Sequence, residues 1–319
     1  MKSRQQHYVF GPVPSRRLGR CLGVDLVPFK TCTFDCIYCQ LGRTTCHTVE
    51  RKEWAPTNAV LDELKRKLAC RPDYITFSGS GEPTLHSGLG EIIEHIQAMT
   101  AVPVAVLTNG SLLWQPQVRA ELALADAVLP SLDAGDATKF KFINRPHASL
   151  SFDQVIAGLI AFRRGFTGQY WLEVFLLAGY TAILADVDRI AALVKNIQPD
   201  RVQLNAIARP PAEEFALTVA PEKLARLARR FSPHAEVVSE QPSRLAHKSR
   251  RLDARAVLDL LRRRPCTAED VVRGLGVNRL EVLKRLEALA ARGEIETSRH
   301  EDRVYYRAGA MPSSHPPEA

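Results

Sequence analysis

The 319-residue chain holds no apolar run near the ~18 residues that a membrane-spanning helix needs, although 45% of its residues are hydrophobic. That excludes a helical span and leaves a packed interior as the use of those side chains. The length suffices for one large core with a small extra domain. The opening Met-Lys-Ser-Arg-Gln-Gln-His carries no secretory pattern, and the seven cysteines are an odd number, so a disulfide framework is not expected. The chain is expected to be soluble and cytoplasmic, a setting in which clustered cysteines read as metal-binding or catalytic. A second Cys or His pair is also missing. A structural zinc site needs one to close its tetrahedron, and His47 and His86 stand near the cysteines without a paired step.

What is present is the run Cys32-Thr-Phe-Asp-Cys36-Ile-Tyr-Cys39. Three thiolates on one short loop can each bind one iron of a four-iron, four-sulfur cluster, usually held by four thiolates. No fourth cysteine follows at a matching step, so one iron is left open to another ligand. Such a cluster is a candidate catalyst as well as an electron relay. The remaining cysteines, Cys21, Cys46, Cys70 and Cys266, are irregularly spaced. The first three are candidates for an auxiliary cluster or ordinary free thiols, and Cys266 reads as structural.

The middle of the chain alternates short apolar runs with helical periods. Strands are expected at 22–27, 74–77, 102–107, 127–132, 171–177 and 201–205. Helices are expected at 58–68, 89–99, 115–124, 152–164, 187–197 and 221–230. Alternation of this kind means parallel strands with helical crossovers, and six units are too few to close an eightfold barrel. The expected fold is α/β, a partial (β/α)6 barrel over residues 1–240. Cys32, Glu82, Asn109, Asp133 and Tyr180 each follow an apolar run, which places them at the strand-end rim where loops converge in barrels.

Residues 241–251 read as a basic linker. Beyond it, 252–308 reads as helix, helix, turn, helix and hairpin, a small winged helix-turn-helix domain. Thr267-Ala-Glu-Asp270 resembles a capping box, Gly276 supplies a turn and Asn278 a cap. Residues 309–319 read as a disordered tail. The net charge of +8, with a pI near 9.2, favours an acidic partner: nucleic acid, a phosphorylated substrate or an acidic flavodoxin. Residues 241–319 hold 16 Lys and Arg against 11 Asp and Glu. The candidate recognition helix, however, carries Glu281 and Glu287, which would repel phosphates; docking of a substrate or partner is favoured over sequence-specific DNA binding.

Cys-x3-Cys-x2-Cys with Tyr38 before the last cysteine resembles the signature of the radical S-adenosylmethionine (radical SAM) superfamily. Ser78-Gly-Ser-Gly-Glu-Pro-Thr84 resembles its Gly-Gly-Glu segment, Leu107-Thr-Asn-Gly110 the end of its third strand, and Ser131-Leu-Asp133 the fourth. The resemblance covers roughly residues 10–240. Gly11-Pro-Val-Pro-Ser-Arg-Arg-Leu-Gly19 is similar to a bacterial and archaeal group of iron–sulfur oxidoreductases related to the wyosine-base synthases that act on tRNA. Those synthases carry an extra cysteine set at this point, where the present chain has only Cys21.

The resemblance implies a [4Fe-4S] cluster on Cys32, Cys36 and Cys39, and S-adenosylmethionine (SAM) on its open iron. Reductive cleavage of SAM would give a 5′-deoxyadenosyl radical that takes hydrogen from a substrate. It further implies that Glu82 accepts from the methionyl ammonium, that Gly79 and Gly81 allow close backbone approach, and that Tyr38 packs near the adenine or the cluster. Asn109, Ser131 and Asp133 would contact the SAM carboxylate or ribose, with turn and cap chemistry as their alternative. Tyr180 is a further candidate for the adenine side. Lys139, Lys141, Asn144 and Arg145, on an expected polar loop, and Asn205 and Arg209 could grip a substrate phosphate or carboxylate. Arg16, Arg17 and Arg20 could tune the cluster or bind an anion. A flavodoxin or ferredoxin would supply electrons. The substrate is expected to be a tRNA base, or alternatively a peptide or small molecule; a non-catalytic, redox-sensing DNA-binding regulator is the third class.

Overall fold

A computed structural model describes residues 7–238, 252–300 and 302–309. The expected basic linker lies outside these residues, as does the expected tail beyond Gly309. The chain divides into two units, Met1–Pro242 and Ser243–Ala319.

The first unit opens with an antiparallel hairpin of β1 (Val9–Ser15) and β2 (Gly19–Val24). Two short segments, β3 (Thr31–Cys32) and β4 (Cys46–His47), pair in parallel and bracket the cysteine loop. Helices and strands then alternate: α1 (Thr57–Lys67), β5 (Tyr74–Phe77), α2 (Leu89–Met99), β6 (Val104–Thr108), α3 (Pro116–Leu122) and β7 (Ala127–Pro130). They are followed by α4 (Ala137–Ile143), α5 (Phe152–Gly165), β8 (Gln169–Phe175), α6 (Leu184–Ile197), β9 (Arg201–Asn205), α7 (Pro221–Ala228) and β10 (Glu236–Val237). The main sheet runs β1-β2-β5-β6-β7-β8-β9-β10. Every pair after the hairpin is parallel. Because strand order follows chain order, each crossover advances the sheet in one direction, as repeated handed crossovers require. The sheet is open, with β1 and β10 at its edges.

The six expected strands are thus part of an eight-stranded sheet. Hairpin strand β1 and short β10 are additions. The first parallel strand ends at Val24 rather than Val27, because the chain turns into a loop at Asp25. A second correction concerns the expected polar loop at Lys139–Arg145, most of which is α4. The Asp136 carboxylate accepts the Lys139 N–H at 2.8 Å and caps the helix, while Phe140 and Ile143, one turn apart, are buried beneath the lysines.

Alternate strand residues build two faces. Leu22, Val24, Ile75, Phe77, Val106, Leu172, Val174 and Leu204 join Leu64, Ile92, Ile93, Leu159 and Ile190 of the helices in the main core. Each such fully buried side chain contributes roughly 1.5–3 kcal/mol of transfer free energy. The opposite face is smaller and mixed: Cys21, Ala105, Ala127, Leu129 and Trp171 pack together, and Arg17 reaches across to pair with Glu173, with Gln203 Oε1 at 3.4 Å. Burial pulls the Arg17 guanidinium down to about 10, helped by Arg16. This corrects the anion-binding expectation for Arg17. Arg17 is committed to the sheet interior, and Arg20 donates to the Cys70 carbonyl at 3.0 Å.

The second unit holds α8 (Ala254–Arg263), α9 (Ala268–Leu275), α10 (Arg279–Ala291) and the antiparallel pair β11 (Ile295–His300) and β12 (Arg303–Ala308). Asp253 caps α8. Thr267 and Asp270 form a reciprocal capping box on α9, satisfying two otherwise orphan amides. Gly276, at φ 64°, closes α9, and Asn278 caps α10. Val257, Leu261, Val271, Val282, Leu286 and Leu289 are fully buried, as is Cys266. Among the described residues no helix is long and apolar enough to cross a membrane.

Candidate functional site

The site is assembled at the C-terminal ends of the parallel strands. Ser78–Glu82 follow β5, Asn109 follows β6, Ser131 and Asp133 follow β7, and Asn205 ends β9. The cysteine loop leaves from β3 beside them. Two glycines permit this crowding. A Cβ on Gly81 would stand 1.8 Å from the Thr31 carbonyl oxygen, the same oxygen that accepts the Glu82 N–H at 3.1 Å. Gly79 adopts φ 140°, and a Cβ there would meet the Asp25 carboxylate at 2.8 Å.

Cys32, Cys36 and Cys39 are free and half-buried. Each sulfur has its own N–H donor, from a different part of the chain. Asn109 Nδ2 is 3.6 Å from Cys32 Sγ, Asn144 Nδ2 is 3.5 Å from Cys36 Sγ, and Lys30 Nζ is 3.2 Å from Cys39 Sγ. Burial, then the charge of Glu82, pushes the Cys32 thiol up to about 12. Burial and then Asp133 push Cys36 well above its ordinary value. Without a cation, then, Cys32 and Cys36 hold their protons; a metal centre would displace them, since a coordinating thiol must be ionised. Among the described residues no three His, Cys, Asp or Glu side chains converge as a single metal ion would require. Separate thiols with separate N–H donors fit a polynuclear iron–sulfur centre, in which each iron takes one thiolate and hydrogen bonds to sulfur adjust the potential.

Glu82 is 2% exposed. Its Oε1 accepts Thr84 N–H at 3.1 Å and the hydroxyls of Thr84 and Thr108, each at 2.6 Å; its Oε2 accepts the Asn109 N–H at 2.7 Å. Burial raises its pKa against those donors. Asn109 Nδ2 also donates to Thr33 Oγ1 at 2.7 Å, which contacts Ser111 Oγ at 2.7 Å.

Asp133 is the second buried carboxylate. It accepts the Tyr38 hydroxyl, Asn144 Nδ2 at 2.8 Å and the Phe175 N–H at 3.0 Å. Burial raises it, too, against those bonds. Tyr38 stacks on Phe175 with ring centroids 4.0 Å apart. Ser131 bridges in parallel to Glu173. Asn205 Oδ1 is buried with no hydrogen-bond partner among the described residues.

The other rim residues separate into different roles. Asn144, expected to touch substrate, instead links Asp133 to Cys36. Lys139 donates to the Tyr180 carbonyl at 3.1 Å and pairs with Asp186 at 3.5 Å. Arg145 pairs with Glu213 at 2.5 Å, and Arg43 joins the same carboxylate at 2.9 Å. Lys141 is exposed. Tyr180 lies among Phe142 and Phe215, with centroids at 5.2 and 6.3 Å. Cys21 is buried in the sheet interior, its thiol lifted to about 12 by burial. Cys46 lies on β4 and Cys70 ends a 3-10 turn. Residues that sequence reasoning passed over are Lys30, Thr33 and Thr108. Their only signal was position, adjacent or nearly so to Cys32 and Asn109.

A parallel strand-helix sheet carrying three cysteines and a glycine-flanked glutamate on its rim defines a radical SAM domain, and the radical SAM superfamily model matches residues 26–182. Its cofactors are a [4Fe-4S] cluster and SAM. Among curated relatives, a protein named GTPase Obg from Brachyspira hyodysenteriae is 37% identical over 292 residues, 90% of this chain but 43% of that protein. The chain therefore spans less than half of that relative. The UPF0026 protein of Methanocaldococcus jannaschii is 33% identical over 243 residues, covering 75% of this chain and 74% of its own. A UPF0026 protein of Helicobacter pylori strain 26695 is 34% identical, with 88% and 91% covered. The chain belongs to the UPF0026 family. A radical SAM methyltransferase from Sphaerobacter thermophilus shares the fold, with TM-score 0.50 and 17% identity over 68% of this chain and 65% of that one. Superfamily membership supports a SAM-cleaving iron–sulfur oxidoreductase that needs an electron donor.

Proposed function

We propose that Cys32, Cys36 and Cys39 hold the [4Fe-4S] cluster, that the adjoining strand ends hold SAM, and that the protein removes a hydrogen atom from an organic substrate. The observation that carries this is one juxtaposition: three thiols with three separate N–H donors, next to the buried Glu82, whose backbone N–H donates to the Thr31 carbonyl and whose carboxylate is held by Thr84, Thr108 and Asn109. When bound, the two cofactors supply one-electron cleavage of SAM and with it a 5′-deoxyadenosyl radical. The chain supplies binding and exclusion of water. Glu82 Oε2 accepts one protein N–H, which leaves a lone pair for the methionyl ammonium. Gly79 and Gly81 let the backbone of that turn approach Asp25 and Thr31 closely. Asn109 and Ser131 line the same strand ends for the carboxylate or ribose. Asp133 Oδ2 accepts Tyr38 and Asn144 and so positions both, while its Oδ1 accepts only the Phe175 N–H and keeps a lone pair for the SAM ribose.

Residues 252–308 are read as a winged helix on their order of helices, caps and hairpin, joined to the enzyme by the basic segment 241–251. With most of the net charge beyond residue 240, this unit is assigned to docking of a nucleic-acid substrate, a tRNA base being the proposed target. A peptide or small-molecule substrate is the second reading, favoured by the internal ion pairs of Lys139 and Arg145. A flavodoxin or ferredoxin is the proposed donor.

The test is anaerobic reconstitution, addition of SAM and dithionite, and mass spectrometry of 5′-deoxyadenosine. Product from the wild type and none from Cys36→Ala supports the assignment. Full iron and sulfide content without product would overturn it in favour of the redox-sensing regulator. RNA binding that falls steeply with salt supports the nucleic-acid reading, and salt-insensitive turnover of a peptide the other.

A further inference from the structure

Of the three donors to sulfur, Lys30 alone is cationic. We propose that Lys30 is a positioning residue that sets the reduction potential of the cluster, by donating from a buried ammonium to the Cys39 thiolate. This rests on the iron–sulfur reading above.

Lys30 is 3% exposed, and lysine is rarely buried to that degree without a partner. Its Nζ stands 3.2 Å from Cys39 Sγ. Its backbone is fixed from both sides: the N–H donates to the Ser80 carbonyl at 2.7 Å, and the carbonyl accepts Thr45 N–H at 3.1 Å and Cys46 N–H at 3.0 Å. Those bonds tie the Ser78–Glu82 turn to both ends of the cysteine loop. They hold Lys30 at φ 58°, a left-handed conformation that favours glycine and strains other residues. The turn alone would thus be better served by glycine. The lysine contributes its side chain, and that side chain ends at a cluster thiolate.

Adding one electron makes the cluster more negative by one unit. A cation at hydrogen-bond distance favours the reduced state over the oxidised one, and hydrogen bonds to sulfur and net charge are the quantities that set iron–sulfur potentials. Lys30 therefore raises the potential and eases the transfer of an electron from the donor. Because the ammonium is buried, salt screens the effect weakly.

The experiment is a dithionite potentiometric titration of the reconstituted full-length protein, followed by electron paramagnetic resonance, with iron and sulfide assayed on each sample. Lys30→Met and Lys30→Gly should each lower the reduced-to-oxidised ratio at a fixed potential at least tenfold, a shift of about 59 mV for a one-electron couple. Lys30→Arg should restore most of it. The shift should persist at 1 M salt. Lys30→Gly separates this role from a structural one, since it relieves the backbone while removing the charge: its melting temperature holds or rises as its potential falls. Unshifted midpoints in Met and Gly variants carrying wild-type iron would overturn the proposal, and so would equal loss of the cluster in the Met, Gly and Arg variants, which marks a purely structural lysine. A wild type that takes up no iron and sulfide refutes the iron–sulfur reading itself.

Discussion

Gly81→Ala tests whether backbone contact, rather than side-chain chemistry, builds this site. The added Cβ would begin 1.8 Å from the Thr31 oxygen and 2.8 Å from its carbonyl carbon, with Val27 Cγ2 at 3.0 Å. Real Cβ atoms essentially never approach closer than 3.0 Å, so the two backbones must part by more than an ångström. The neighbour that must yield is peptide, not the end of a flexible side chain. Parting them lengthens the Glu82 N–H to Thr31 bond, now 3.1 Å, beyond useful range. A buried donor left unsatisfied costs about 1–3 kcal/mol, and overpacking costs about 1–3 kcal/mol more. The sum is about 2–6 kcal/mol. For a unit of this size about 1 kcal/mol moves the midpoint by roughly 2–4 °C, so a fall of about 4–24 °C is expected.

Gly165→Ala is the matched control. Nothing lies within 4 Å of its ideal Cβ and its φ is ordinary, and it ends helix α5, where alanine is worth up to about 1 kcal/mol over glycine. Identical chemistry should therefore move stability in opposite directions. Calorimetry on both apo variants, with iron uptake and SAM binding measured alongside, reads the result. A Gly81→Ala protein that melts within 2 °C or so of wild type and loads iron and SAM normally would refute the claim that these two backbones must touch.

Glu63→Gln should cost about 1–2 kcal/mol near pH 7. Burial opposes the Glu63 charge, but the Tyr8 N–H at 2.7 Å, with Lys67 and His7, outweighs it and holds the carboxyl below its ordinary value of 4.5. A depressed folded value means that the stabilisation is complete above the unfolded value and is lost as pH falls through the folded one. Urea titrations should therefore show the gap between wild type and variant closing in acid below pH 4.5; a gap that widens there is the contrary result. Arg17→Met should destabilise by about 3–5 kcal/mol, because it strands the Glu173 carboxylate in the sheet interior, whereas Arg17→Met with Glu173→Leu should recover most of the loss. Equal instability of the single and double variants in a double-mutant cycle would argue against a stranded charge. Asp136→Ala should cost about 1 kcal/mol as a lost helix cap, and by loosening α4, whose C-terminal cap is Asn144, it should alter the visible absorption of the reconstituted protein.

Strand ends were legible because two kinds of signal coincided there. Apolar runs of four to seven residues mark buried strands, and a polar or cysteine residue within a few positions of the end of such a run falls in the strand-end loop, so its position at the rim follows from the pattern. Strand β1 was not legible in this way. Val9-Phe-Gly-Pro-Val-Pro-Ser15 is broken by prolines, which suit an edge strand that leaves N–H positions unpaired, and β10 has too few residues to show a period. Helix α4 was hidden because it is only seven residues long and its lysines give it a polar look. Its burial signal is two residues, Phe140 and Ile143.

The cysteines could be read from spacing alone, but not their surroundings, because partners reached across the sheet leave no mark along the chain. Asn144 lies 108 residues from Cys36 and Asn109 lies 77 from Cys32. Both are polar residues just past a strand or helix, where capping is the commoner use of asparagine. Lys30 is the contrary case. It sits nine residues from Cys39, and its importance lies in being buried, which a charged residue beside a proline-containing loop does not announce. The three donors come from a loop, a strand end and a helix end, so the sulfur environment depends on the whole sheet being in register. A change far from the cysteines that shifts α4 or β6 should thus alter the cluster before it alters the fold, and visible absorption measured through a urea titration should change ahead of far-ultraviolet circular dichroism.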